Sequence, residues 1–253
     1  MLEQVSRIAA EAGRIAAARS GGEFKRWEKA PGQPVCDVDL EVNLFLREQL
    51  QALDPEAGWF SEETVDMPER LERSRLWVVD PIDGTRDYLR QRSGWCVSVA
   101  LVEDGRLAIG VLDAPARGEH WTAEAGRGAW RNGQPIRVSS HGTLAGARVP
   151  ADQLPRVDAD LILVNKPNSI ALRIAMVAAG EADLVATLRW GFEWDIAAAA
   201  LIAGEAGATV TGVLGQPLAF NTVSGEAFGV LVATPAIHAA AVERLRDRAM
   251  KVV

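Results

Sequence analysis

Cysteine is scarce in this chain of 253 residues: only Cys36 and Cys96 occur, far apart and without C-x-x-C pairing. A disulfide framework is therefore not expected, and two free buried thiols fit a reducing compartment. No basic run exceeds two residues and the formal net charge is −7, so nucleic-acid binding through phosphate neutralisation is not expected. The opening Met1-Leu2-Glu3-Gln4 has neither a basic n-region nor an apolar h-region, which argues against a signal peptide. No apolar run approaches the about 20 residues that cross a bilayer, so no membrane association is expected. Histidine is rare, and His120 and His141 lack companions at metal-ligand spacing; packing or surface roles are expected for them. Internal repeats and low-complexity tracts are not evident. What is left is a chain with 48% apolar and 24% charged residues, the composition of a soluble globular protein. A cytoplasmic location is expected, and the length suits one large domain or two closely packed halves.

The chain is organised around Trp77-Val78-Val79-Asp80-Pro81-Ile82-Asp83-Gly84-Thr85. Leu76 to Val79 has the length and β-branched content of a buried strand. It runs into Asp80, and a second carboxylate follows at Asp83. Two carboxylates this close repel unless a cation lies between them, and oxygen ligands suit Mg²⁺. The N–H groups of Gly84 and Thr85 suit a phosphate. Two other readings compete. D-P-x-D-G is also turn chemistry and nothing more. D-x-D-G-T after a strand marks the haloacid-dehalogenase-type phosphatases, with a nucleophilic first Asp, but here two residues separate the carboxylates instead of one. In an extended strand positions i and i+3 face opposite ways. The pair converges only where the chain turns, as Pro81 allows, which favours a metal site over a nucleophile.

Around this centre, residues 2–19 place Leu2, Val5, Ile8, Ala9, Ala12, Ile15 and Ala16 on one face of an amphipathic helix ended by Gly21-Gly22. Residues 23–28 suit a strand and 29–34 a mobile loop. A second helix is predicted over 37–53, with Asp37 and Asp39 in its first turn, where a carboxylate caps and complements the dipole. Residues 64–75 read as an exposed loop. After a short helix at 86–89, alternating apolar residues predict strands near 95–101 and 107–111, turned by Asp104-Gly105, and at 120–124 and 128–131, followed by Asn132-Gly133. Residues 139–160 look loop-like and mark the softest boundary. Beyond it come a strand at 161–164, a helix at 170–179, a strand at 182–188, an Ala-rich helix from Trp194-Asp195 to about Gly207, strands near 208–211 and 228–233, and a helix at 235–249.

With Ser61-Glu62-Glu63 upstream and Glu193-Trp194-Asp195-Ile196-Ala197-Ala198-Ala199 downstream, the central motif resembles that of the inositol monophosphatase superfamily of Mg²⁺-dependent, Li⁺-sensitive phosphatases. The resemblance covers about residues 5 to 235. It implies an α+β fold, a layered αβαβα sandwich with an antiparallel-sheet half at 1–140 and an α/β half at 141–253, packed as one unit. It also implies that Glu62, Asp80 and the carbonyl of Ile82 hold one Mg²⁺, that Asp80, Asp83 and Asp195 hold a second, and that a third can bind near Glu62. Glu63 becomes a neighbour of the ligands. Pro34-Val35-Cys36-Asp37-Val38-Asp39 resembles the family's P-V-T-x-x-D, which pairs Asp39 with Thr85 to orient an attacking water. Cys36 and Ser61 depart from the usual Thr and Gly. A homodimer is implied as well.

The resemblance divides by substrate. Members specific for inositol carry a Glu seven residues before the Trp-Asp aspartate, where this chain has Leu188. The Phe192-Glu193-Trp194-Asp195 junction and Pro217-Leu218-Ala219-Phe220-Asn221 look more like the bacterial 3′(2′),5′-bisphosphate nucleotidases. Such a substrate wants a cation and a stacking surface, for which Lys166, Arg189 and Trp190 are candidates, with Ser169 nearby. The expected function is hydrolysis of 3′-phosphoadenosine 5′-phosphate or a related nucleotide. Inositol monophosphatase, histidinol phosphatase and a non-catalytic binding protein are the alternatives.

Overall fold

The structure is a computed structural model that describes residues 1–30 and 33–252. Helix α1 (Leu2–Arg19) is followed by a hairpin of β1 (Arg26–Ala30) and β2 (Gln33–Cys36), then by α2 (Asp37–Leu53). The loop expected over 29–34 is thus largely strand, with Trp27 opposite Val35 and Glu28 opposite Pro34; Pro31 and Gly32 lie outside the described residues.

A seven-stranded sheet follows in chain order: β3 (Gly58–Ser61), β4 (Arg75–Asp83), β5 (Cys96–Glu103), β6 (Arg106–Ala114), β7 (Glu119–Glu124), β8 (Gly128–Arg131) and β9 (Gln134–Pro135). Every neighbouring pair is antiparallel except β3 with β4. The short helix α3 (Thr85–Leu89) leaves the end of β4. The Asp104-Gly105 and Asn132-Gly133 turns both have positive φ at both residues, the geometry that matches the twist of a two-residue hairpin.

Strand β4 shows how the layers form. Trp77 and Val79 pack with α1 and α2 through Val5, Ala9, Val42 and Leu46, whereas Leu76 and Val78 face the opposite side. There they meet α4 (Ile170–Ala178) and α5 (Glu193–Glu205), two helices rich in alanine and buried over most of their surface. A helix apolar all round must lie between two layers. The second layer consists of short strands: β10 (Arg148–Pro150), β11 (Ile162–Val164), β12 (Leu184–Ala186), β13 (Trp190–Phe192), β14 (Thr209–Thr211), β15 (Glu226–Phe228) and β16 (Leu231–Ala233). Val185 and Val232 face α4 and α5, while Leu184, Leu231 and Ala233 face α6 (Pro235–Ala249). The order is helices, large sheet, helices, small sheets, helix: an αβαβα sandwich. One apolar cluster joins Leu76, Val78 and Leu112 to Ile174, Ala198 and Val232.

Several local expectations need correction. Within 139–160 lie β10 and a 3-10 turn at Arg156–Asp158. The strand expected at 182–188 is shorter, and β13 beyond it pairs antiparallel with β15. The strand expected at 228–233 is two strands, β15 and β16, broken at Gly229 and Val230. Residues 64–75 contain a 3-10 turn, Pro68–Glu72, whose Arg70 is buried. Its guanidinium lies 4.2 Å over the Phe60 ring and donates to Asp66, Asn221 and the Thr222 carbonyl. These partners are more than 150 residues away in sequence for Asn221 and Thr222, so no local pattern announces them. His120 links Ser6 to Asp113 at 2.7 Å on each side, tying α1 to the sheet. Cys36 and Cys96 are free and buried. Among the described residues no helix is long and apolar enough to cross a membrane.

Candidate active site and metal centre

Strand β4 ends in an irregularity that brings its two carboxylates together. Asp80 pairs with Ser98 and Asp83 with Cys96, so Pro81 and Ile82 stand opposite a single residue, Val97. The extra residue bends and twists the strand, as a β-bulge does, and the i, i+3 carboxylates converge. The Ile82 N–H donates to Asp80 Oδ1 at 3.0 Å, fixing that side chain.

Gly84 has φ 94° and ψ 31°, a left-handed conformation that favours glycine. A Cβ there would fall 2.6 Å from the Gly94 carbonyl oxygen and 3.0 Å from the Ser169 nitrogen. The close approach lets Asp83 reach the start of α4, where the Ala171 N–H (2.8 Å) and the Ser169 hydroxyl donate to its Oδ2. Ser169 is the N-cap of α4 and also accepts from the Leu172 N–H at 2.9 Å. It is fully buried. Its expected role as a substrate contact is therefore corrected: the hydroxyl is turned inward onto Asp83 and has no surface toward a ligand.

The third carboxylate, Asp195, comes from the first turn of α5, anchored by the Phe192 N–H at 3.1 Å. Oxygens of Asp80, Asp83 and Asp195 lie within 4.8 Å of one another. Glu62, just beyond β3, lines the same cleft and takes Lys29 Nζ at 3.2 Å, while Glu63 forms a closer ion pair with that lysine. Asp39 is buried at the start of α2 and accepts from Cys36 N–H (2.8 Å) and Sγ (2.9 Å). Thr85 Oγ1 donates to the Ile82 carbonyl at 3.0 Å and sits 3.5 Å from Asp39 Oδ1.

Electrostatics separate this corner from an ordinary surface cluster. Burial, then Glu62, Asp83 and Asp195, push the Asp80 carboxyl well above the usual range. Burial followed by Asp83 and Glu62 raises Asp195 to about 7. Burial raises Asp83 to about 6 against the hydrogen bonds from Ser169 and Ala171, and burial, with a smaller push from Glu62, lifts Asp39 to about 6 against those from Cys36. Buried carboxylates with one another for neighbours are costly unless a cation joins them. The donors are all hard oxygens, as Mg²⁺ requires, so the residues present fit that ion.

The cleft above the trio has a volume of about 620 Å³. Lys166, Arg189 and Trp190 line it, together with Lys29, Arg86 and Arg173, which sequence reasoning did not single out. Lys166 is in an ion pair with Asp152. Trp190 is half exposed, its ring 5.4 Å from that of Phe228. A signal for Arg173 existed: it is the one charge in the otherwise apolar helix Ile170–Ala178. Leu188 packs beside Val213 and Phe228.

The inositol monophosphatase family model matches residues 1–250. A 3′(2′),5′-bisphosphate nucleotidase CysQ from Aggregatibacter actinomycetemcomitans is 31% identical over 207 residues, spanning 76% of this chain and 77% of that protein. A fructose-1,6-bisphosphatase/inositol-1-monophosphatase from Thermotoga maritima is 34% identical over 191 residues, spanning 72% of each. Among solved structures, an IMPase from Thermotoga maritima superposes with a TM-score of 0.87 at 27% identity, covering 100% of this chain and 99% of that one. With the layered fold and an acidic trio, two of its members buried, suited to a divalent cation, these likenesses mean that the chain belongs to the inositol monophosphatase family and is a metal-dependent phosphatase.

Proposed function

We propose that this protein hydrolyses 3′(2′),5′-bisphosphate nucleotides, such as 3′-phosphoadenosine 5′-phosphate, with Mg²⁺ held by Glu62, Asp80, the Ile82 carbonyl, Asp83 and Asp195. Two such ions would share the set and, when bound, would supply a water of lowered pKa and neutralise phosphoryl charge. Asp39, whose carboxyl is raised to about 6 by burial, takes the proton of the attacking water through the Thr85 hydroxyl. Gly84 and Thr85 present N–H groups to the phosphoryl oxygens. Asp83 is positioned by Ser169 and Ala171, Asp195 by the Phe192 N–H. Water attacks directly, and no covalent intermediate forms. The family likeness carries lithium inhibition and a homodimer as parts of the same proposal.

The observation that carries the substrate reading is the wall of the cleft: Lys166, Arg173 and Arg189 with half-exposed Trp190, and an apolar Leu188 turned to the core. Trp190 with its flanking cations suits a base, and Lys166 offers a cation to a second phosphate; a polyol would want a hydroxyl acceptor. The likeness to a CysQ nucleotidase points the same way. The likeness to a fructose-1,6-bisphosphatase/inositol-1-monophosphatase favours inositol 1-phosphate as the second reading. Phosphate release with Mg²⁺ from 3′-phosphoadenosine 5′-phosphate, inositol 1-phosphate, fructose 1,6-bisphosphate and histidinol phosphate tests both. The nucleotide is expected to give the highest kcat/KM, and a clear preference for inositol 1-phosphate would overturn the assignment.

A further inference from the structure

A second cleft of about 470 Å³ adjoins the acidic one and shares Arg86, Lys166 and Asn168 with it. Among the described residues, its lining includes five basic side chains, Arg86, Arg90, Arg92, Arg117 and Lys166, against two carboxylates, Asp87 and Asp152. The cations converge from separate segments: α3 and its C-cap, the turn after it, the 3-10 turn Pro115–Arg117, and the loop before α4. In a protein of net charge −7, such a concentration of positive charge in a hollow needs a reason. Arginines on a convex surface are ordinarily just solvated. In a concave site with low-dielectric walls the same charges focus their field on whatever enters.

The floor of this cleft is rigidly joined to the catalytic corner. Asp87 accepts the Asn168 N–H at 3.2 Å, and a Cβ on Gly94 would lie 2.0 Å from Asp87 Oδ2 and 2.8 Å from the Asn168 nitrogen. The Gly94 carbonyl takes the Ser169 N–H at 2.9 Å, and Ser169 in turn holds Asp83. Arg117 pairs with Glu119, Arg92 lies 4.0 Å from Asp87, and Lys166 pairs with Asp152. These pairs orient the side chains and leave further guanidinium N–H groups for a ligand, since each guanidinium has five.

We infer that the arginine-lined cleft is a phosphate-binding site, occupied by the non-scissile phosphate of a doubly phosphorylated substrate whose other phosphate lies on the acidic trio. The inference rests on the bisphosphate reading above and adds to it the residues that select for the second phosphate. Guanidinium groups bind phosphate oxygens in bidentate fashion, and a neighbouring acidic corner repels any anion lacking a metal partner. The two clefts therefore sort a bisphosphate by charge.

The test compares magnesium-loaded wild type with R90A/R92A, two exposed positions whose substitution is expected to leave the melting temperature unchanged. Both proteins are assayed on 3′-phosphoadenosine 5′-phosphate and on adenosine 3′-phosphate, which has the same scissile ester and lacks the second phosphate. The variant is expected to lose kcat/KM on the bisphosphate by on the order of 10-fold and to keep it on the monophosphate. Equal losses on the two substrates, or no loss on either, would overturn the inference. Failure of the nucleotide reading shows separately, as a wild-type preference for inositol 1-phosphate. The cleft is then judged by calorimetric titration with inorganic phosphate: two bound per wild-type chain and one per variant chain sustain it, and equal stoichiometry in the two proteins refutes it.

Discussion

Asp183 and Asp195 are both carboxylates withdrawn from water, and they titrate in opposite directions. Burial opposes the charge on Asp183, yet Arg148 and Ser139 surround it with donors and hold it down at about 2. Its oxygens accept from Arg148 Nε (2.9 Å), Arg148 Nη2 (2.8 Å), the Arg148 N–H (2.8 Å) and the Ser139 hydroxyl. Asp195 has one backbone donor, and burial with Asp83 and Glu62 lifts it to about 7. The first is satisfied within the chain and binds the start of β10 and the loop before it to the turn before β12. The second is satisfied only by something added. A buried acid with its own arginine is architecture, whereas buried acids that face each other mark a place where a cation belongs.

This contrast can be broken by substitution. The largest effect is expected for Asp83→Asn, which removes one member of the trio. Phosphate release should fall ~10³-fold or more, on the scale of lost metal-based stabilisation, while metal-free stability holds or rises because a repelling charge is gone. Near-normal turnover at saturating Mg²⁺ would remove Asp83 from the ligand set. Asp183→Asn should do the reverse: kcat unchanged, and unfolding free energy reduced by about 2 kcal/mol, toward the low side for a broken buried pair because Arg148 is a third exposed. Denaturant titration reads it, and unchanged stability would mean that the Arg148 contacts are idle. Ser169→Ala should leave the fold intact and weaken Mg²⁺ ~10–100-fold, the usual consequence of losing a group that orients a ligand; calorimetry with unaltered Mg²⁺ affinity would contradict it.

The smallest effect is expected in pH. With pKa values of about 6 and about 7 for Asp83 and Asp195, the folded metal-free chain keeps protons that the unfolded chain releases near pH 4. Their contribution to stability is therefore full below about pH 4 and declines as pH rises toward 7. Asp183, held at about 2, acts oppositely: its contribution is present above about pH 4 and is lost as pH falls toward 2. Metal-free protein should thus melt at a lower temperature at pH 8 than at pH 5, and Mg²⁺ should abolish the difference. A melting temperature independent of pH in the absence of metal would mean that the trio is not mutually repelling.

Legibility in the sequence followed the range of the interactions. Helix α2 at Asp37–Leu53 and α6 at Pro235–Ala249 could be bounded because their apolar faces and starting residues are local signals. The metal corner was readable from Asp80, Asp83 and Asp195 through resemblance, although the bulge that joins the first two depends on the partner strand. Arg70 looked like one more charge in a polar loop, since its partners Asn221 and Thr222 lie across the fold. Ser169 looked like a ligand contact beside Lys166 because nothing local shows that a cap residue is sealed against Gly84 and Gly94. The arginines at 86, 90, 92 and 117 are scattered in sequence, and only the fold makes them one wall.

The position of α5 between the large sheet and the small ones has a consequence for synthesis. The acidic side chains leave the ribosome in the order Glu62, Asp80, Asp83 and, more than a hundred residues later, Asp195. That last carboxylate reaches the corner only once its helix is clamped on both faces. On the proposed ligand set, a stalled or clipped polypeptide keeps most of the acids and still has no working centre, so hydrolysis of phosphate esters waits for the whole sandwich to close.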